Sequence, residues 1–259
     1  LEKNSNLVQS LARGIVGLEM AANGEVSPKE LAERLGIDRS SAYRLLYTLM
    51  DCGYLIQDPQ TRSFVPNSVK FLSLSGKIVS KLDWLKLADQ QLKKLRDETR
   101  ETANLGLLEK NHLIYVKQEL SDNAVRVFNI LGVERPVHSS SLGKAIVAFL
   151  DEPALSKLLD EIELTARTPK TITNKDIFRL HLEMVRKQGY ALDDEENYEG
   201  VRCIAAPIFG YDGQIIASMG ISGPTSRITL DKMPSYIEHV LRATSELSEK
   251  LGYVPPQSR

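Results

Sequence analysis

An α+β chain of two domains is what this 259-residue sequence predicts: a winged helix-turn-helix, then a larger domain of helices around a largely antiparallel sheet. Three observations predict it. Ser27 to Thr48 (S-P-K-E-L-A-E-R-L-G-I-D-R-S-S-A-Y-R-L-L-Y-T) reads as two short helices joined by a tight turn. A candidate hairpin follows directly. Beyond residue 100, strand-like runs and helical periods succeed one another. The expected divisions are residues 1–66 for the winged helix-turn-helix, 67–80 for a helical linker and 81–259 for the second domain.

Composition is that of an ordinary folded protein, 42% hydrophobic and 26% charged. No apolar run approaches the roughly 18 to 20 residues of a membrane span, and the N-terminus lacks a signal-peptide layout. Cys52 and Cys203 fit neither a disulfide framework nor a paired metal site. A cytoplasmic protein with free thiols, and no membrane partner, is expected. Net charge is −1, and residues 1–78 hold nine Lys/Arg against eight Asp/Glu, so no global basic field argues for nucleic acid. Local placement does: residues 34–47 hold Arg34, Arg39 and Arg44 against Asp38 alone.

Taken in order, residues 7–22 place Val8, Leu11, Ile15, Leu18 and Ala22 at helical spacing, and Asn23-Gly24 ends that helix. Ser27 is a good N-cap, Pro28 suits the first helical position, and Glu30 completes an S-x-x-E capping box. This helix buries Leu31 and Leu35, small Ala32 allows close approach, and Gly36 suits a left-handed C-terminal turn. Asp38 can cap the next helix, which puts Ala42, Leu45, Leu46 and Leu49 on one side. Ser40, Tyr43, Arg44 and Tyr47 project from the other, flanked by Arg39, Ser41 and Thr48, with no glutamate on the face. Such a face suits the second helix of a helix-turn-helix, which enters the major groove of DNA. Leu55-Ile56 and Phe64-Val65 read as a hairpin turning at Asp58-Pro59, a wing whose Arg62 could reach a phosphate.

Residues 67–80 form a short helix with Val69, Leu72 and Leu74 apolar. The second domain opens with a helix from Trp84 to Arg100 that buries Leu85, Ala88, Leu92 and Leu95. Strands are expected at 103–108, 113–118 and 125–131, then helices at 142–150, at 154–161 and from an Asn174 cap to Gln188, ended by Gly189. Strands at 201–208 and 214–222, joined by G-Y-D-G, and a closing helix at 231–251 complete the chain.

Alternation gives one face of 215–221 as Ile215, Ala217, Met219 and Ile221, a core set. The other is Ile216, Ser218, Gly220 and Ser222, small enough for a close-packed helix or a cavity. His138-Ser139-Ser140-Ser141-Leu142-Gly143-Lys144 leads three serines into a helix start, where backbone N–H groups favour an anion, although one serine simply capping the helix is the plainer reading. The G-x-x-x-x-G-K-[ST] spacing of a phosphate loop is absent, which removes nucleotide hydrolysis. Cys203 with His138 and Asp193 has the residue types of a triad but no local catalytic signature, and a mid-strand cysteine is more often buried and inert. His112, His138, His181 and His239 show no metal-ligand spacing. No catalytic residue, metal or cofactor is assigned.

Across these stretches the chain resembles the IclR family of bacterial transcriptional regulators over essentially its whole length. The run R-S-S-A-Y-R-L-L-Y-T-L and the following G-Y-L match its winged helix-turn-helix. Gly189, Asp193, Glu196 and Cys203 to Phe209 match its hallmark around the late hairpin, H-S-S-S-L-G-K-A its pre-helix motif, and Ser222 to Arg227 its strand end. The resemblance implies a GAF-like effector-binding and oligomerisation domain, and a homodimer or homotetramer on a palindromic double-stranded DNA operator. It also implies a regulator, read as a repressor, of a catabolic operon under the control of a small organic acid.

Carried over residue by residue, the effector positions it implies are Ser141, Leu142, Asp193, Cys203, Gly220 and Ser222. Ser141 and Leu142 stand where glyoxylate- and pyruvate-type members have Gly and Ala, and Gly220 replaces a Ser. An anion at the Ser139–Ser141 helix start would face Asp193, a like charge. The effector should therefore also carry a hydroxyl that donates to Asp193, which favours a hydroxy acid or sugar acid. Expected DNA contacts are Ser40, Ser41, Tyr43, Arg44 and Thr48, with Arg39 and Arg62 on phosphates. Two alternatives are a small-molecule-modifying enzyme that uses the Cys203 pocket behind a vestigial DNA-binding domain, and a DNA-binding protein whose empty pocket serves dimerisation.

Overall fold

A computed structural model of the chain describes residues 8–79 and 83–254. Leu7 and Ser80, at the ends of two expected helices, lie outside the described residues. The chain divides into two units, residues 1–82 and 83–259.

In the first unit, α1 (Gln9–Ala22), α2 (Pro28–Leu35) and α3 (Arg39–Asp51) surround a core of Leu31, Leu46, Leu55 and Phe64. The capping box is present: Glu30 N donates to Ser27 Oγ at 3.3 Å and Ser27 N to Glu30 Oε2 at 2.8 Å. Gly36 ends α2 in the left-handed region, φ 62°. On α1 the packed face differs from the expected one. Val8, Leu11, Ile15 and Ala22 are exposed, and Gly14, Gly17 and Ala21 turn inward. The reason is spacing between helices. A Cβ on Gly17 would stand 3.2 Å from Leu31 and 3.4 Å from Leu46, so glycine admits an approach that the larger side chains would block.

Strands β1 (Leu55–Gln57) and β2 (Phe64–Pro66) pair antiparallel, and Val26 bridges Phe64 from the other side. That bridge ties the wing to the loop before α2. Helix α4 (Ser68–Val79) follows, with Val69 and Leu72 exposed.

The second unit contains α5 (Asp83–Thr99), β3 (Thr102–Glu109), β4 (His112–Glu119) and β5 (Glu134–Pro136). Next come α6 (Ser141–Val147), α7 (Glu152–Glu161), α8 (Lys175–Gln188) and β6 (Ala191–Asp194). It ends with β7 (Val201–Phe209), β8 (Ile215–Pro224) and α9 (Met233–Lys250). The six strands form one antiparallel sheet in the order β5-β4-β3-β8-β7-β6. Because side chains alternate across a strand, the sheet separates two cores. Leu105, Ile204, Ala206, Met219 and Ile221 pack with α5 and α9. Ala191 and Ala205, on the other face, pack with α6, α7 and α8.

Two strand assignments change. Residues 125–131 are not a strand; Val125, Phe128, Ile130 and Leu131 are exposed, and β4 pairs instead with 134–136. The segment's polar groups find side chains rather than a ladder: Thr102 Oγ1 donates to Val127 O at 2.9 Å, and Asn129 Nδ2 to Asn104 Oδ1 at 3.2 Å. Strand β6, short and half acidic, carries no strand signal in sequence, yet pairing with β7 makes it one. Helix α6 stops at Val147 rather than Leu150, where Phe149 N and Leu150 N close tighter turns on Ile146 O and Val147 O.

Candidate functional site

The start of α3 is set by Asp38, whose carboxylate accepts from Ser41 N at 2.9 Å and from Ser41 Oγ at 2.7 Å. The Ser41 hydroxyl, then its amide, hold the Asp38 carboxyl below its usual value. Thr48 Oγ1 donates back to Arg44 O at 2.7 Å. Ser41 and Thr48 therefore direct their hydroxyl hydrogens at their own helix. Arg39, Ser40 and Tyr43 are exposed and line one cleft of about 440 Å³ with Arg62 of the wing, Pro28 and Gln57. Arg44 lies on the opposite flank of α3, in a groove of about 710 Å³ that it shares with Ser41, Thr48 and α1. Tyr43 is held in place by stacking on Tyr47, 6.0 Å between ring centres, and by the edge of Phe64 at 6.2 Å. Helix α3 and the wing thus meet on one cationic edge.

In the second unit, strand register brings distant residues into one row. Asp193 lies opposite Cys203, Cys203 opposite Ser222, and Ser222 opposite Thr102. One step along, Gly220 lies between Ala205 and Asn104. Helix α6 packs across this face, and Ser218 Oγ donates to Leu142 O at 2.9 Å. Ser141, Leu142, Asp193, Cys203, Gly220 and Ser222 are all buried in this layer. Ser140 is the serine that caps α6, accepting from Gly143 N at 3.4 Å.

Sequence reasoning did not single out Asn104 and found no partner for Lys144. Asn104, fully buried, donates to Ser222 Oγ at 3.3 Å and accepts from Gln118 at 2.8 Å. A lone asparagine in an apolar strand was the available signal. Lys144 is also fully buried, with Nζ 2.5 Å from Glu196 Oε1. Spacing compared this lysine with a phosphate loop; its partner, 52 positions away, comes only from the fold. Among the described residues, Ser139 Oγ and Glu196 Oε2 are buried without a protein partner.

Burial pushes Asp193 up to about 6, against the pull of Lys144 and of the Glu196 and Asn197 amides, which donate to Oδ1 at 2.8 and 3.2 Å. Burial, then Asp193, raises the Cys203 thiol far above its ordinary value, so it stays protonated. His138 does not serve it. Its ring meets Thr165 O at 3.0 Å and packs edge-on to Phe178. Burial lowers His138, and burial with Lys144 lowers His181 to about 4, which leaves Lys144 as the cation beside Asp193. Among the described residues, no group of three or more His, Cys, Asp or Glu could hold a metal ion.

The profile described as the IclR helix-turn-helix domain matches residues 20–59, and that of the bacterial transcriptional regulator IclR C-terminal matches 76–249. The HTH-type transcriptional regulator KdgR of Dickeya chrysanthemi is 31% identical over 255 residues, covering 98% of this chain and 83% of that protein. The transcriptional repressor IclR of Escherichia coli is 34% identical over 249 residues, covering 95% and 90%. Among solved structures, Thermotoga maritima IclR superposes with a TM-score of 0.71 at 29% identity over 95% of this chain and 100% of that one. The C-terminal domain of Escherichia coli KdgR does so with a TM-score of 0.60 at 33% identity over 66% of this chain and 99% of that one.

Proposed function

The chain belongs to the IclR family of bacterial transcriptional regulators, and from that premise we propose that it represses a catabolic operon until a small organic acid binds its second unit. It is a DNA-binding regulator, not an enzyme. The proposed effector site is the buried layer of Ser141, Leu142, Asp193, Cys203, Gly220 and Ser222. The observation that carries it is the polar set beneath α6. A carboxyl with its pKa near 6 stands by a buried lysine, with unpartnered Ser139 and Glu196 oxygens at the edge. Such groups are costly to bury without a polar partner.

Lys144, whose charge is shared between Glu196 and Asp193, offsets part of the negative charge that an anionic effector group would meet there. An effector hydroxyl donating to the Asp193 carboxylate completes the pairing, so a hydroxy acid or sugar acid fits this layer better than a plain acid. Titration calorimetry against a panel of organic acids tests the reading. The hydroxy acids should bind best, and Asp193→Ala should weaken them about tenfold or more, the loss of one hydrogen bond to a charged group. Equal affinity in both proteins would remove Asp193 from the site.

On the DNA side the proposed contacts are Ser40, Ser41, Tyr43, Arg44 and Thr48, with Arg39 and Arg62 on the backbone of a palindromic operator. Self-association into a homodimer or homotetramer is supported by the exposed Leu11 and Ile15 of α1 and Val69 and Leu72 of α4. Residues 67–80 are the proposed linker, and the cytoplasm the proposed compartment. Among the described residues no helix is long and apolar enough to cross a membrane. Control requires that the effector bind the DNA-competent and DNA-incompetent arrangements with different affinity.

A further inference from the structure

We propose that the cleft between the wing and the recognition helix is a single DNA-phosphate site held by Arg39 and Arg62, and that Asp58 is the residue that positions it. The inference rests on the DNA-binding reading above. Six residues line the cleft, Pro28, Arg39, Ser40, Tyr43, Gln57 and Arg62, and none is a carboxylate. Two arginines, a serine and a tyrosine lining one space without a carboxylate match a phosphate, which takes charge-assisted hydrogen bonds from planar donors.

The wing that delivers Arg62 is built around one side chain. Asp58 Oδ1 accepts from Gln60 N at 2.7 Å and from Thr61 N at 2.8 Å. The Asp58 backbone closes the loop, donating to Ser63 O at 2.8 Å and accepting from Arg62 N at 3.0 Å. Gln57 Nε2 donates to Arg62 O at 2.9 Å, and Thr61 Oγ1 to Glu25 Oε2 at 3.0 Å. Arg62 itself sits at φ 61°, a left-handed conformation unfavourable for an arginine. A free loop would leave that conformation. The Asp58 and Gln57 bonds hold it, so the guanidinium reaches the cleft without the ordering cost that a mobile wing would carry on binding.

Because the site reads phosphate and not sequence, a short mixed-sequence duplex is the right probe, with binding to the full chain measured by fluorescence anisotropy over a range of salt. Each lost phosphate contact lowers the slope of log affinity on log salt by about 0.9. Because both arginines serve one phosphate, Arg62→Ala and Arg39→Ala should each lower the slope by part of one such contact, and the two together by about one. Asp58→Ala should lower it as much as Arg62→Ala does, and the Asp58→Ala/Arg62→Ala double variant no more than Arg62→Ala alone. Charge alone predicts the reverse, since deleting a carboxylate near DNA strengthens binding. Asp58→Asn, which keeps the acceptor oxygen, should retain the wild-type slope. A wild-type slope in Arg62→Ala overturns the phosphate site. A reduced slope in Arg62→Ala with tighter or unchanged binding in Asp58→Ala leaves the site standing and overturns the role of Asp58. Thermal melts of each variant identify any loss of fold, and Gln57→Ala then probes the same loop by a second bond, with a wild-type slope counting against the proposal.

Discussion

Asp193 is the residue where burial, charge and the proposed effector site meet. Its pKa near 6, raised from 3.8, means that folding favours its protonated form even against the attraction of Lys144. The contribution to stability is therefore full below about pH 4 and is lost as pH rises through 6. Two pK units correspond to about 3 kcal/mol. Asp193→Asn keeps the oxygen that accepts from the Glu196 and Asn197 amides but cannot ionise. Urea unfolding should find the variant more stable than wild type at pH 8, by up to about 3 kcal/mol, with the margin vanishing towards pH 4. A constant margin across that range would show that Asp193 does not titrate as its burial requires.

At the scale of elements, helix α3 and the β7–β8 pair carry the proposed DNA and effector sites. α3 presents chemistry on two flanks, Arg39, Ser40 and Tyr43 towards the wing and Arg44 towards α1. A bidentate arginine–guanine contact is worth about 1 to 3 kcal/mol, so Arg44→Ala should weaken specific operator binding roughly 10- to 100-fold at fixed salt. Unchanged affinity in a gel-shift titration would move the base contacts to the wing-side flank. The strand pair is constrained differently. A Cβ on Gly220 would lie 2.1 Å from Ile204 O and 2.7 Å from the Ala205 Cα, both backbone. Gly220→Ala should therefore cost about 1 to 3 kcal/mol, measured by chemical denaturation, as the strands part to admit it.

For the whole molecule, the division between residues 82 and 83 separates a small core from a larger one. Leu31, Leu46 and Phe64 pack within the first unit, whereas Leu92, Ile204 and Met219 on one sheet face and Phe178 and Ala205 on the other pack within the second. A fragment from residue 83 onward keeps both of its cores. It should fold, give a single cooperative melt and bind the effector, with all DNA affinity lost. A fragment that melts without cooperativity would show that the second unit depends on the first.

Helix caps, most helices and the candidate recognition face are legible in the sequence alone. Ser27, Asp38 and Asn174 act on amides three residues away, and an interaction that local is legible from spacing. Tertiary structure decided the rest. Which face of α1 packs depended on how closely Gly17 lets it approach Leu31. In place of a strand ladder, 125–131 bonds to the side chains of Thr102 and Asn104, which no local spacing encodes. The proposed binding layer depended on register, because Asp193, Cys203 and Ser222 become neighbours only through three strands, and Lys144 meets Glu196 only when α6 lies on the sheet. Spacing encodes contacts within a turn or two of chain, whereas contacts closed by long loops are set by the packing that makes those loops worth closing.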